Sequence, residues 1–228
     1  MPDRQSDDLL TGDELKRTKR GSGLSGLNGL SLGKTLRAFV FMAGFLALLW
    51  AIQLANWADS YRLDQSFGIV PHSESHLADI FTAPFLHESW SHIEGNSIPL
   101  LILGFLAAYR GLAKFALVSV TIIVVAGLFV WLVSPTGTDT IGASAVIAGW
   151  LGYVMLRGVF DHRLLDIIVG AVAALMYLGA FDLLPNNAGI SWQGHLSGLL
   201  TGMLCAWLFR TRKTPYLPET DAVPSLGR

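Results

Sequence analysis

The chain has 228 residues, of which 52% are hydrophobic and only 14% are charged, and its formal net charge at pH 7 is -1. Because soluble domains carry about 25% charged residues, this composition excludes an ordinary soluble domain and is typical of a protein in a lipid bilayer. The near-zero net charge leaves no large basic surface to neutralise phosphates, which argues against nucleic-acid binding. The single cysteine, Cys205, lies in an apolar run and cannot form an internal disulfide, so we interpret it as a packing residue.

Both ends of the chain differ from its middle. Residues 1–35 are polar and then rich in Gly, Ser and Leu, without a helical or strand period, which predicts a flexible cytosolic tail. A signal peptide is not expected, because the first long apolar run begins late and continues past a signal-like length. Residues 212–228 contain three prolines and mixed charges, which predicts a disordered cytosolic tail.

Six apolar runs lie between these tails, and each is close to the length of about 20 residues that crosses a bilayer as a helix. The runs cover residues 37–56, 93–109, 114–133, 142–157, 164–181 and 191–210. We therefore predict an all-α membrane protein whose six transmembrane helices form one domain at residues 36–211.

The basic residues predict the orientation of these helices, because cytoplasmic loops of membrane proteins carry an excess of Lys and Arg. Loops three and five, at 134–141 and 182–190, carry neither, whereas basic residues flank loops two and four: Arg110, Lys114, Arg157 and Arg163. Both termini are therefore predicted to be cytoplasmic. Loop one, at about 57–91, is long and contains two short apolar segments, which predicts a loop partly embedded in the membrane interface.

Strongly polar residues occur at one predicted depth in three of the six runs. Each follows an outer loop: His92 and Asn96 on the second span, Ser144 on the fourth and His195 on the sixth. Polar and ionisable groups in lipid are costly and usually mark a site inside the helix bundle. We therefore predict a single site near the outer membrane face.

Small residues indicate which spans meet at this site. Glycines follow His195 at i+3 and i+7, and a matching small face lies directly below Ser144: Ala145, Ala148, Gly149 and Gly152. Small residues let two helix backbones approach closely, so this contact would bring the Ser144 hydroxyl to the His195 imidazole. Because a serine hydroxyl needs a neighbouring base to become a nucleophile, the pattern predicts a Ser/His catalytic dyad.

An acyl-transfer reaction also needs hydrogen-bond donors for its oxyanion. His92 and Asn96 are four residues apart and therefore share a helix face, and with the Ser144 backbone N–H they are the predicted donors.

A zinc site is the alternative for the segment from His87 to His92, which has a superficial likeness to the His-Glu-x-x-His metal motif. That motif places its histidines at i and i+4, whereas these are at i and i+5, about 140° apart on a helix. We therefore predict no metal at this segment.

These residues are similar to the motifs of the rhomboid family of intramembrane serine proteases, in the same order along the chain. The three matching stretches are Gly142-Ala-Ser144-Ala145, His195-x-x-Gly198-x-x-x-Gly202 and His87-x-x-x-x-His92-x-x-x-Asn96. The resemblance covers about residues 37–210 and implies a six-helix rhomboid-like bundle in a bacterial inner or plasma membrane. It implies cleavage of transmembrane protein substrates near the outer face by Ser144 and His195, without a metal or cofactor. His92 and Asn96 would stabilise the oxyanion, and Gly142 would belong to the same oxyanion and substrate-binding group. His87 matches a motif histidine without a catalytic role.

Two residues depart from the family pattern. Ala145 replaces the glycine that usually follows the nucleophile, and Ala148 stands where members commonly place an aromatic that packs on the histidine. These departures motivate an alternative hypothesis, a rhomboid-like pseudoprotease that binds membrane clients without cutting them. A transporter would place polar residues through the whole bundle, whereas here they cluster in the outer part, with Asp166 as the exception.

Overall fold

The structure is a computed structural model that describes residues 32–181, 183–184 and 191–211. Seven α-helices occur in this part of the chain: α1 (Leu32–Ala58), α2 (Arg62–Phe67), α3 (Trp90–Ala108), α4 (Leu112–Val133), α5 (Ser144–Phe160), α6 (Leu164–Tyr177) and α7 (Trp192–Leu208). Short 3-10 segments cover 74–81, 83–85 and 178–180, and the described residues form no β-strand. The described part is therefore all-α, as predicted.

The predicted tails lie mostly outside the described residues. Helix α1 begins at Leu32, so its first four residues fall within the segment that we expected to be a tail. The rest of that segment, and the tail predicted at 212–228, are not among the described residues.

Six helices, all except α2, coincide with the six apolar runs. Two of them, α1 and α4, are long and apolar enough to cross a bilayer, whereas α5 and α6 are shorter apolar helices. Large apolar side chains point outward along these helices, including Leu175, which is 88% exposed, and Leu165 and Phe39. Such a surface fits contact with lipid better than contact with water. A count of six membrane spans stays a prediction.

Helix α5 lies at the centre and packs against α3, α4, α6 and α7. Eleven of its 17 residues are buried, which explains why a short, Gly-rich segment can occupy this position. Its contact with α7 is the closest in the bundle: a Cβ added at Gly202 would overlap the carbonyl oxygen of Gly149, and one at Gly152 would overlap that of Leu199. The predicted contact between two small-residue faces is thus present in the structure.

Loop one is folded against the end of the bundle that the sequence predicts to be the outer one, called the outer end below. Ile69 and Thr140 exchange two backbone hydrogen bonds of 3.0 Å, which join loop one to the loop before α5. The Trp131 indole N–H donates to the Ser73 carbonyl at 3.0 Å, and Ile80 is buried against α4. Loop one therefore helps to hold the chain that leads into Ser144.

A partly buried ionic cluster joins three helices at the opposite end. The Arg157 guanidinium, on a residue that is 3% exposed, lies 3.5 Å from the Asp166 carboxylate and donates to the Leu106 carbonyl. Arg110 pairs with the same carboxylate. Asp166 is the exception to the predicted clustering of polar residues in the outer part of the bundle. In the structure it links the ends of α3 and α5 to the start of α6.

Candidate active site

Ser144 and His195 meet at the outer end of the α5–α7 contact. Ser144 is the first residue of α5, and His195 lies in the first turn of α7. The Ser144 Oγ is 2.9 Å from the His195 Nε2, and His195 is 7% exposed. This distance is that of a hydrogen bond, so the imidazole can accept the hydroxyl proton.

The glycines of α7 make this approach possible. A Cβ added at Gly198, one turn beyond His195, would overlap the carbonyl oxygen of Ala145. A Cβ at Gly194 would instead lie 3.4 Å from the Ala145 Cβ, which is an ordinary contact. The methyl of Ala145 therefore faces a glycine of α7, and the helices accommodate it without separating at the dyad.

Gly142 determines the backbone conformation just before Ser144. Its φ is +116°, in the left-handed region that favours glycine, and its N–H donates to the Ala83 carbonyl at 2.9 Å. A Cβ at this position would lie 2.8 Å from both Cε1 and Nε2 of His92. Two independent constraints, backbone conformation and contact with the imidazole, therefore require glycine here.

His92 and Asn96 lie beside Gly142 on the first two turns of α3. Ser89 is the N-cap of this helix, and its Oγ accepts a hydrogen bond from the His92 backbone N–H at 3.2 Å. The Asn96 side-chain amide is buried near Gly142, and its Nδ2 has no hydrogen-bond partner among the described residues. An unpartnered buried donor of this kind is available to a developing negative charge.

The first turn of α5 adds backbone donors. Ala143 is its N-cap and provides no side-chain acceptor for the N–H groups that follow. Those N–H groups, including that of Ser144, and the positive end of the helix dipole are suited to an oxyanion. The four residues that the sequence singled out, with Gly142, thus form one site.

His87 packs against His92 beside this site. It is fully buried, and its ring lies edge-on to that of His92, with centroids 5.0 Å apart. Burial, and then the neighbouring His92, lower the pKa of His87 to about 3, against a weaker opposing effect of the Phe85 backbone. His87 is therefore a neutral packing group at physiological pH. Among the described residues no group of three or more His, Cys, Asp or Glu side chains could hold a metal ion.

Sequence reasoning missed one aromatic contact of His195. The ring of Phe181 lies edge-on to the His195 imidazole, with centroids 5.3 Å apart and planes inclined by 75°. Ala148, which stands where the rhomboid pattern commonly has an aromatic, is fully buried. The available signal was the place of Phe181 at the outer end of the fifth apolar run, at the predicted depth of the other site residues.

A small apolar cavity lies between loop one, α4 and the start of α5. Its wall includes Gly142 and Ala145, which lie two residues before and one residue after Ser144, and its other lining side chains are almost all apolar, among them Ile80, Ile122 and Ile141. This cavity therefore suits an apolar group better than a charged one.

Comparisons with known proteins identify the family of this chain. A family model described as Rhomboid domain matches residues 74–212, which contain all three motifs. The chain is 40% identical over 173 residues to the uncharacterized proteins Rv1337 of Mycobacterium tuberculosis and Mb1372 of Mycobacterium bovis, over 72% of this chain and 72% of each relative. It is also 37% identical over 221 residues to the uncharacterized protein ML1171 of Mycobacterium leprae, over 87% of both chains. The family model matches more than half of the chain, and this protein therefore belongs to the rhomboid family.

Proposed function

We propose that this protein is an intramembrane serine endopeptidase that cleaves transmembrane protein substrates near the outer membrane face. The observation that carries the proposal is the 2.9 Å distance between the Ser144 Oγ and the His195 Nε2. A membrane-embedded serine that has a histidine base beside it and unpartnered donors nearby is arranged for acyl transfer.

The proposed reaction has two halves. His195 Nε2 takes the hydroxyl proton as the Ser144 Oγ bonds to the scissile carbonyl carbon, and the carbonyl oxygen becomes an oxyanion held by the Ser144 N–H, His92 and Asn96. The C–N bond then breaks, and His195 gives its proton to the leaving amine, which leaves an acyl-enzyme. Water attacks this ester with His195 again as base, and the collapse of the second oxyanion releases the acid and restores the Ser144 hydroxyl.

The proposed setting is a bacterial inner or plasma membrane that the chain crosses six times, with both termini in the cytoplasm. Support comes from the basic residues that flank loops two and four, and from the ionic cluster of Arg110, Arg157 and Asp166 at the same end of the bundle. A substrate helix would enter sideways from the lipid, and the apolar cavity lined by Gly142 and Ala145 would take a small apolar group of the substrate.

The departures that motivated a non-cutting alternative are both accommodated. The Ala145 methyl is directed toward Gly194 of α7, whereas His92 and Asn96 lie beside Gly142. Phe181 provides an aromatic contact for His195 where Ala148 cannot. Neither alanine therefore supplies a reason to prefer the pseudoprotease.

A fluorescent fluorophosphonate probe in isolated membranes tests the proposal without a known substrate. The wild type should become labelled, and Ser144→Ala and His195→Ala should both lose labelling while they keep the wild-type thermal unfolding profile in detergent. Labelling that survives Ser144→Ala would refute the assigned nucleophile. A stably folded wild type that is never labelled would favour the pseudoprotease that binds membrane clients.

A further inference from the structure

The His195 imidazole needs a defined orientation to act as a base, since its Nε2 must face the Ser144 Oγ. Gly194 and Gly198, next to His195 on α7, carry no side chain, and Ala148 of α5 is a buried alanine. The hydrogen bond between Nε2 and the Ser144 hydroxyl holds one atom of the imidazole. An aromatic ring packed against the imidazole would restrict its rotation further.

Phe181 is such an aromatic residue. Its ring contacts the imidazole edge-on at 5.3 Å between centroids, within the range of favourable aromatic pairs. Phe181 is partly buried and packs against the main apolar core together with Leu178 and Leu183. The contact is thus a packed one with restricted freedom on both sides.

Phe181 does not belong to either helix of the dyad. It directly follows the 3-10 segment 178–180, which continues α6 at its outer end. Helix α6 is itself fixed to α5 by close backbone contact: a Cβ at Gly170 would lie 2.7 Å from the Val154 carbonyl oxygen. A displacement of the outer end of α6 would therefore move the ring that contacts His195.

We propose that Phe181 is a positioning residue that holds the His195 imidazole with Nε2 toward Ser144, and that it links the outer end of α6 to the reactivity of the dyad. The proposal rests on the proposed function for its effect on activity, but the contact itself does not. Phe181 touches neither reacting atom and acts through the orientation of the base.

The first test separates reactivity from binding. In fluorophosphonate labelling, Phe181→Leu should lower the maximal inactivation rate by about 3- to 10-fold, the size expected for one aromatic contact, and leave the half-saturating probe concentration unchanged. Phe181→Tyr keeps the ring and should restore the wild-type rate. The matched control is Phe160→Leu, the same change at a partly buried aromatic that packs on the core from the opposite end of α5, and it should label like the wild type.

The second test does not depend on activity. In the detergent-solubilised protein with isotope-labelled histidine, the His195 ring signals, assigned with His195→Ala, should carry a ring-current shift that Phe181→Leu removes and Phe181→Tyr retains. If the wild type is not labelled but this shift is present, the proposed function fails and the contact stands. Unchanged His195 signals in Phe181→Leu, or an equal loss of labelling in Phe181→Leu and Phe181→Tyr, would overturn the positioning role.

Discussion

Replacement of Gly198 by alanine should separate the dyad, because this glycine lies where α7 comes closest to the start of α5. A Cβ at 198 would overlap the Ala145 carbonyl oxygen. Since carbon and carbonyl oxygen rarely approach closer than about 3.3 Å, the outer end of α7 must move away from α5 by roughly 1 Å. The distance from Ser144 Oγ to His195 Nε2, now 2.9 Å, would then exceed hydrogen-bond range.

Two quantities should change together in Gly198→Ala. Overpacking of this kind costs about 1–3 kcal/mol in the free energy of unfolding. Misplacement of a base by about 1 Å should lower the fluorophosphonate labelling rate by roughly 100-fold. Thermal unfolding in detergent and the labelling rate, measured on the same preparation, give both values.

The matched control is the same substitution at Gly44 in α1. Among the described residues, no heavy atom outside the backbone of α1 itself lies within 4 Å of an added Cβ there, so Gly44→Ala should label normally. It should be as stable as the wild type or more stable by up to about 1 kcal/mol, because alanine favours a helix over glycine. Wild-type labelling by Gly198→Ala, whatever its stability, would show that the close approach of α5 and α7 does not position His195.

Gly142→Ala should reduce labelling by at least about 10-fold, because a methyl would lie 2.8 Å from the His92 ring in addition to the strain of a φ of +116°. The control is Gly137→Ala, because Gly137 has a φ of +82° and open space for a methyl among the described residues, so this variant has the backbone strain without a clash. Equal labelling of Gly142→Ala and Gly137→Ala would contradict a role for the contact between residue 142 and His92. Asp166→Asn should lower the free energy of unfolding by about 3 kcal/mol, because it leaves the buried guanidinium of α5 without its anionic partner; an unchanged thermal transition in detergent would disprove this. The pKa of His87 is about 3 in the folded protein and about 6.5 in the unfolded chain. Below a pH of about 6.5 only the unfolded chain takes up a proton at His87, so the free energy of unfolding should fall with decreasing pH by up to about 1.4 kcal/mol per pH unit. His87→Gln should flatten that fall in unfolding experiments between pH 7 and 5, and an identical slope would argue against it.

The positions of the helices and the meeting of Ser144 with His195 were predictable because both depend on regular spacing. Glycines at i+3 and i+7 from His195 fix which face of α7 is small, and the alanines and glycines after Ser144 do the same for α5. Two such faces can pack closely in only one register, and that register places the two side chains at the same depth. The spacing of His92 and Asn96 likewise fixed their common face.

The contacts that escaped prediction depend on segments without a helical period. Phe181 reaches His195 because a 3-10 segment extends α6 at its outer end. The distance along the chain between Phe181 and the motif residues does not predict this contact. Asp166 stood out in the sequence as an isolated acidic residue, yet its partners Arg110 and Arg157 are 56 and 9 residues away along the chain. Pairing of this kind follows from the tertiary arrangement of three helix ends, which the sequence pattern does not encode locally.

The departure at Ala145 is instructive because its consequence depends on a residue of another helix. Close approach between α5 and α7 needs a small residue on each side of every contact, and the total volume at the contact decides whether the backbones can meet. At the outermost contact Ala145 faces Gly194. The Ala145 methyl would lie 3.4 Å from a Cβ built on Gly194, so the two positions together leave room for it. One turn further in, Gly198 faces the Ala145 backbone itself, where even one methyl would not fit. The tolerance for a methyl on α5 is therefore set by the glycine opposite it, and the dyad distance is preserved although one motif position has changed.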